Sequence, residues 1–215
     1  MAVTATPYRK NMLSLLTKVV NDTSDAINAM LVTSSYAPNF DTDQYKDVVA
    51  PAEASGTGYT TGGATLASVT NTYTAANSWG QQWTGTTAYA VGFVVRPTVG
   101  NGHLYRVQAI SGTGTSSSTQ PTWPTAAGSQ VVDNAGANQI TWEECGAGVT
   151  VFTSTAPSWS SSTITAAGMV IYDNTPASNK PMLVFVNFGG NVSSTSSTFT
   201  VTPDSNQGWL AFFTQ

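Results

Sequence analysis

The feature that most narrows the possible folds is a series of short apolar runs, each closed by turn-forming residues, that starts at Ala26 and continues to the C-terminal end. Residues 26–32 form the first run, and residues 67–73 alternate small or polar with larger side chains. Residues 149–152 and 169–172 follow, the latter closing on Asp173, Asn174, Thr175 and Pro176, a turn signature. Residues 183–188 are read as a strand that stops at Gly189 and Gly190, and residues 198–201 and 209–213 as two more. Short strands punctuated at this spacing suit a sandwich or barrel better than a βαβ fold. The expected fold is mainly β: a sandwich-like or barrel-like domain with one N-terminal helix and a small inserted β-module.

The helix is expected over residues 8–20. Tyr8, Met12, Leu15, Leu16 and Val19 fall on one face, and Arg9, Lys10, Ser14, Thr17 and Lys18 on the other. Pro7 stands where a helix tolerates proline, at its first turn. A helix this short is marginal alone and is expected to dock on the sheet.

Two stretches depart from the strand pattern. Residues 33–61 form a long connection with Pro38, Pro51, Gly56 and Gly58, the kind that usually carries a function or an interface. Between Trp79 and Cys145 lie four of the six tryptophans, Trp79, Trp83, Trp123 and Trp142, and a low-complexity stretch at 111–119. Residues 78–146 therefore read as a small module inserted at a hairpin tip, between paired strands at 70–74 and 149–153. That leaves a discontinuous parent domain of residues 1–77 plus 147–215.

Charge excludes several function classes. Only 8% of residues are charged, against roughly 25% in an ordinary globular protein. Thr, Ser, Asn and Gln must therefore supply the polar surface, and neutral hydroxyls and amides lose little when a partner covers them. A secreted β-protein shares this habit. The net charge of -4 and the scatter of the seven basic residues speak against nucleic acid. No run approaches a membrane span, and Lys18 interrupts the apolar stretch that begins at Met12, so neither a membrane anchor nor a signal peptide is expected. The single cysteine, Cys145, excludes an intramolecular disulfide and fits maturation in a reducing cytosol; Glu143 and Glu144 beside it disfavour a thiolate.

No catalytic or metal constellation is expected either, nor any cofactor. His103 is the only histidine, so zinc lacks ligands, and no Gly-x-Ser-x-Gly elbow supports a hydrolase. Glu143 and Glu144 would point to opposite faces of a strand and cannot flank one glycosidic bond. Asp41, Asp43 and Asp47 are too few for a calcium loop. The glycine-rich residues 55–63 contain no lysine and open no helix, so they read as an interface loop and not a phosphate cradle.

Two resemblances add to this reading. The helix at 13–16 with residues 24–31, 55–66 and 167–173 resembles a group of tailed-phage proteins encoded among virion genes. The resemblance implies a head or tail component, assembled in the host cytoplasm and resident in the virion. It implies a capsid decoration or a head- or tail-fibre-like protein, partnered by major capsid or tail proteins, and a homo-oligomer, with a trimer as first expectation. The insert is similar to small aromatic β-modules of phage fibres and to chitin-binding-like modules, through Trp83, residues 87–95, 102–107, 120–124 and 140–142; Phe93 stands where the latter commonly carry a Gly-Asp pair. That likeness implies a host-surface glycan as an alternative partner, with Trp79, Tyr105 and Trp123 as candidate carbohydrate-binding residues and a tail adhesin as the alternative function. The competing reading puts Trp83, Tyr89, Tyr105 and Trp142 in the module's own core, because a small module needs its large side chains inside.

Overall fold

The computed structural model describes residues 4–16 and 20–214. Along the chain run β1 (Thr4–Pro7), α1 (Arg9–Leu16), β2 (Ile27–Val32), β3 (Gly56–Thr57), β4 (Ala64–Thr65), β5 (Thr70–Ala75), β6 (Val94–Val95) and β7 (Leu104–Ile110). Then follow β8 (Gln130–Asp133), β9 (Ile140–Gly146), β10 (Gly148–Thr153), β11 (Ser158–Asp173), β12 (Met182–Thr200) and β13 (Leu210–Thr214). The fold is mainly β, sandwich-like and built on antiparallel sheets, as the strand pattern predicts. Among the described residues no helix is long and apolar enough to cross a membrane.

Two compact units form. The first takes the chain up to Asn71 and Phe152–Leu210; the second takes Thr72–Val151 and the chain from Ala211 on. The second is thus wider than residues 78–146. The reason is packing: Ala76, Val149, Val151, Ala211 and Phe213 share one core with Trp79, Val94, Leu104 and Cys145.

In the first unit the sheet order is β1-β12-β11-β2-β4, with β3 also pairing β11. Every residue of β2 is buried. Ile27, Ala29 and Leu31 enter one core with Met169, Ile171 and Val186, while Met30 and Val32 enter a second with Val170, Tyr172 and Phe185. Burial on both faces explains why residues 26–32 read as an apolar run, broken only by Asn28, and not as an alternation. The long connection covers the second face, where Tyr36, Phe40 and Val49 pack against Tyr8 and Phe185. It is held by Tyr36, whose hydroxyl donates to Asp43 (2.8 Å) and lies 2.8 Å from the Tyr8 hydroxyl.

Three local expectations change. Pro7 ends a strand instead of opening the helix, facing Val184 across the ladder; β1 is an edge strand, where a proline without an N–H is tolerated. The helix is shorter than residues 8–20: Tyr8 precedes it, its N–H bonded to the Leu183 carbonyl (3.0 Å), while Leu15 packs on the first core. The expected helical positions Thr17, Lys18 and Val19 lie outside the described residues. Finally, Gly189 and Gly190 do not stop their strand. The ladder passes from Gly168↔Asn187 to Ala166↔Val192, so four residues of β12 stand against Ala167 alone. Gly189 takes φ +74° in that bulge, a conformation glycine adopts without steric cost, and its N–H bonds to Asn187 Oδ1 (2.8 Å).

The glycine-rich stretch is likewise structured, as β3 and β4. A Cβ at Gly63 would fall 1.9 Å from the Ala29 carbonyl oxygen, so only glycine lets β4 lie this close to β2. Glu53 fixes the span by accepting from the Tyr59 hydroxyl (2.9 Å) and the Gly62 N–H (2.5 Å).

In the second unit, β13-β10-β5 and β6-β7-β9-β8 form two sheets. Trp83, Tyr89, Tyr105 and Trp142 share a core with Val95, Val107 and Ile140.

Candidate functional site

The three aromatic residues singled out in the sequence are not brought together. Trp79 is 5% exposed in the core it shares with Val149, and its indole N–H donates to the Val94 carbonyl (3.1 Å). Tyr105 is fully buried in the other core of that unit, its hydroxyl donating to the Pro124 carbonyl (2.8 Å) and accepting from Asn101 (2.7 Å). Trp123 is half-buried. It packs on Tyr105 with ring centroids 4.4 Å apart and planes tilted by 36°, and meets Trp142 edge-on at 5.7 Å. Trp79 and Tyr105 therefore offer no free ring face to a sugar, and Trp123 keeps part of one.

The polar groups of this unit serve its architecture. Asp133 is 2% exposed. Its carboxylate accepts from the indoles of Trp83 (2.9 Å) and Trp142 (3.3 Å) and from the backbone N–H (3.0 Å) and hydroxyl (2.5 Å) of Ser117. A buried carboxylate needs such partners, and these tie the low-complexity stretch to β8. Buried Glu144 accepts from the N–H groups of Gly146 (2.9 Å) and Gly128 (3.1 Å), and lies 2.9 Å from His103 Nδ1. Glu143 instead reaches Arg106 at 3.5 Å, so the two neighbouring glutamates diverge. Cys145 is buried, and burial pushes its thiol up to about 12, which removes thiolate character at neutral pH.

In the first unit Asp41 pairs with Arg9 (2.6 Å), and Asp43 is occupied by Tyr36 and by the Asn39 N–H (2.9 Å). Among the described residues no three His, Cys, Asp or Glu side chains are grouped so as to hold a metal ion.

One surface feature escaped the sequence reading. β11 and β12 are the longest strands, and β1 covers the outer side of β12 only at residues 184–187. Beyond Asn187, among the described residues, no strand pairs that edge. Beside it opens a groove of about 260 Å³. Its lining joins core residues Phe188, Phe199 and Val201 to exposed Ser193, Ser197 and Thr200. No charged residue occurs from Met182 to Pro203. That charge gap marks the edge in the sequence, but Gly189-Gly190 looks like the end of the strand that carries it.

No protein-family model matches the chain, and no curated protein or solved structure is significantly similar to it.

Proposed function

We propose that this chain is a non-enzymatic structural component of a tailed-bacteriophage particle, a capsid decoration or a head- or tail-fibre-like protein that works as a homo-oligomer against other virion proteins. The observation that carries this reading is the uncharged outer half of β12, an edge that no strand among the described residues pairs, beside an open groove floored by core side chains. Covering such a surface strips water from hydroxyls and apolar carbons and buries no ion. An exposed strand edge is a template for pairing; monomers commonly blunt theirs with lysine, proline or bulges, and β12 carries bulges but neither lysine nor proline. The resemblance of residues 24–31, 55–66 and 167–173 to virion proteins supplies the setting.

The test has two parts: sedimentation of the purified chain at tens of micromolar, and mass spectrometry of gradient-purified particles. The expected result is self-association together with stoichiometric presence in the particle. A monomer that is missing from purified particles overturns the proposal.

A further inference from the structure

We infer that the uncovered edge of β12 pairs with the same edge of a second copy of this chain, antiparallel about a two-fold axis near Thr195, closing the groove on both copies. This rests on the assembly reading above and names its contact.

Three observations select a second copy over a foreign partner. The first is charge. In a two-fold strand pairing, every residue near the axis faces its own counterpart or a near neighbour. A single lysine or aspartate there sets like charges opposite each other, which destabilises the pair. From Met182 to Pro203 the chain has none. An edge shaped for a different protein has no such restriction and ordinarily uses complementary charge to select it.

The second observation is the sequence itself. Val192-Ser193-Ser194-Thr195-Ser196-Ser197-Thr198 reads almost the same in both directions. Turned about Thr195, it sets serine against serine, threonine against threonine, and Val192 against Thr198, which has nearly the same shape. Every cross-strand pair is then neutral and matched in size.

The third is the bulge. The β11–β12 ladder steps from Ile164↔Ser194 to Ser162↔Ser197, and Ser196 has φ +46°. A bulge adds local twist and sets an edge at odds with a straight partner. A partner must share that twist to pair here, and a second copy does, with each bulged Ser196 opposite Ser194 of the other copy and Thr195 opposite Thr195. Val192 and Phe199, which line the groove, are covered by the incoming strand.

The experiment uses the full chain carrying Thr195→Cys. Thr195 is exposed, whereas the native Cys145 is buried. A disulfide needs Cα atoms roughly 4.4–6.8 Å apart, so mild oxidation reports the proximity of the two copies of residue 195. The expected result is a covalent dimer on a non-reducing gel, with Val99→Cys, at a position 78% exposed, staying uncrosslinked. In parallel, Thr195→Lys with Ser197→Lys is expected to weaken self-association by at least about tenfold in sedimentation. Both positions are exposed, and an unchanged thermal melt in dilute solution shows that the variant is folded. A wild-type chain that assembles while Thr195→Cys fails to crosslink and the double lysine variant associates normally, or that forms a strict trimer, overturns this contact and leaves the assembly reading standing. A wild-type chain that stays monomeric overturns both.

Discussion

β11 and β12 form one hairpin whose two halves obey different rules. Near the turn, residues 168–173 lie against residues 182–187, and this half is flanked by β2 on one side and β1 on the other. Its side chains, Met169 to Tyr172 and Met182 to Val186, are buried on both faces of the sheet. Beyond the bulge, residues 158–166 lie against residues 192–200; β3 touches β11 only at Thr163 and Ile164, and β12 has no outer neighbour among the described residues. Here Trp159, Ile164, Ala166 and Phe199 face the core, Val192 packs against it, and serines and threonines fill the remaining positions. The same two strands thus change from a doubly covered sheet to a half-covered one, and their composition changes with them.

Substitutions break or sharpen this contrast. The largest effect is expected from Val186→Asp, which puts a carboxylate among core side chains with no partner. It should cost more than about 4 kcal/mol and unfold the chain in a thermal melt. The same change at exposed Thr195 should stay within about 0.5 kcal/mol; equal losses at both positions would erase the distinction.

A middle effect is expected from Ser162→Ala. Ser162 is fully buried in the outer half, 2.8 Å from the Ser194 hydroxyl and donating to the Ser197 carbonyl (3.0 Å). Its loss should cost about 1–2 kcal/mol, read as a lower urea midpoint at an unchanged slope.

Alkaline pH separates the halves further. Tyr172 lies in the inner half, and burial raises its phenol from the usual 10 to about 12. The fold favours the protonated phenol, so this contribution is complete below about pH 10 and is lost as pH rises towards about 12. Burial raises Tyr8, Tyr36 and Tyr59 too, so wild-type stability should fall through this window, and less steeply in Tyr172→Phe. Urea titrations from pH 8 to pH 12 measure both slopes. Residues 192–200 carry no titratable side chain and contribute nothing to it. The smallest effect, under about 0.5 kcal/mol, belongs to Thr195→Lys, whose consequence should appear in association and not in melting.

What the sequence revealed follows the same division. Doubly buried strands announce themselves as apolar runs, and residues 26–32, 169–172 and 183–188 were legible for that reason. The outer half was not, because a strand of Ser, Thr and Asn looks like a loop, and Gly189-Gly190 looks like its start. Only the ladder with β11 shows that the glycines bulge and the strand resumes. Asn11 was missed for a related reason. It is fully buried on the helix face towards the sheet, donating to the carbonyls of Gln44 (2.5 Å) and Met182 (2.7 Å), and a polar residue in a helical pattern is read as solvated.

The aromatic residues illustrate the converse limit. Residue type shows that a tryptophan must be accommodated, not where. Trp123, between Pro121 and Pro124, looks better suited to an open surface than Trp79, and it is the more exposed of the two; Trp79 lies in a core with its indole N–H on a backbone carbonyl, but Trp123 still gives one side to Tyr105.

The four-against-one bulge at residues 188–191 has a consequence for how this chain can vary. A Cβ built on Gly190 meets nothing within 4 Å, so the chain there borders open space, whereas Gly189 is held at φ +74° and Phe188 beside it is buried. An insertion after Gly190 is expected to be absorbed in the bulge, with the phase of the ladder kept on either side. A short tag inserted after Gly190 should therefore leave both halves of the hairpin folded, read as an unchanged thermal melt.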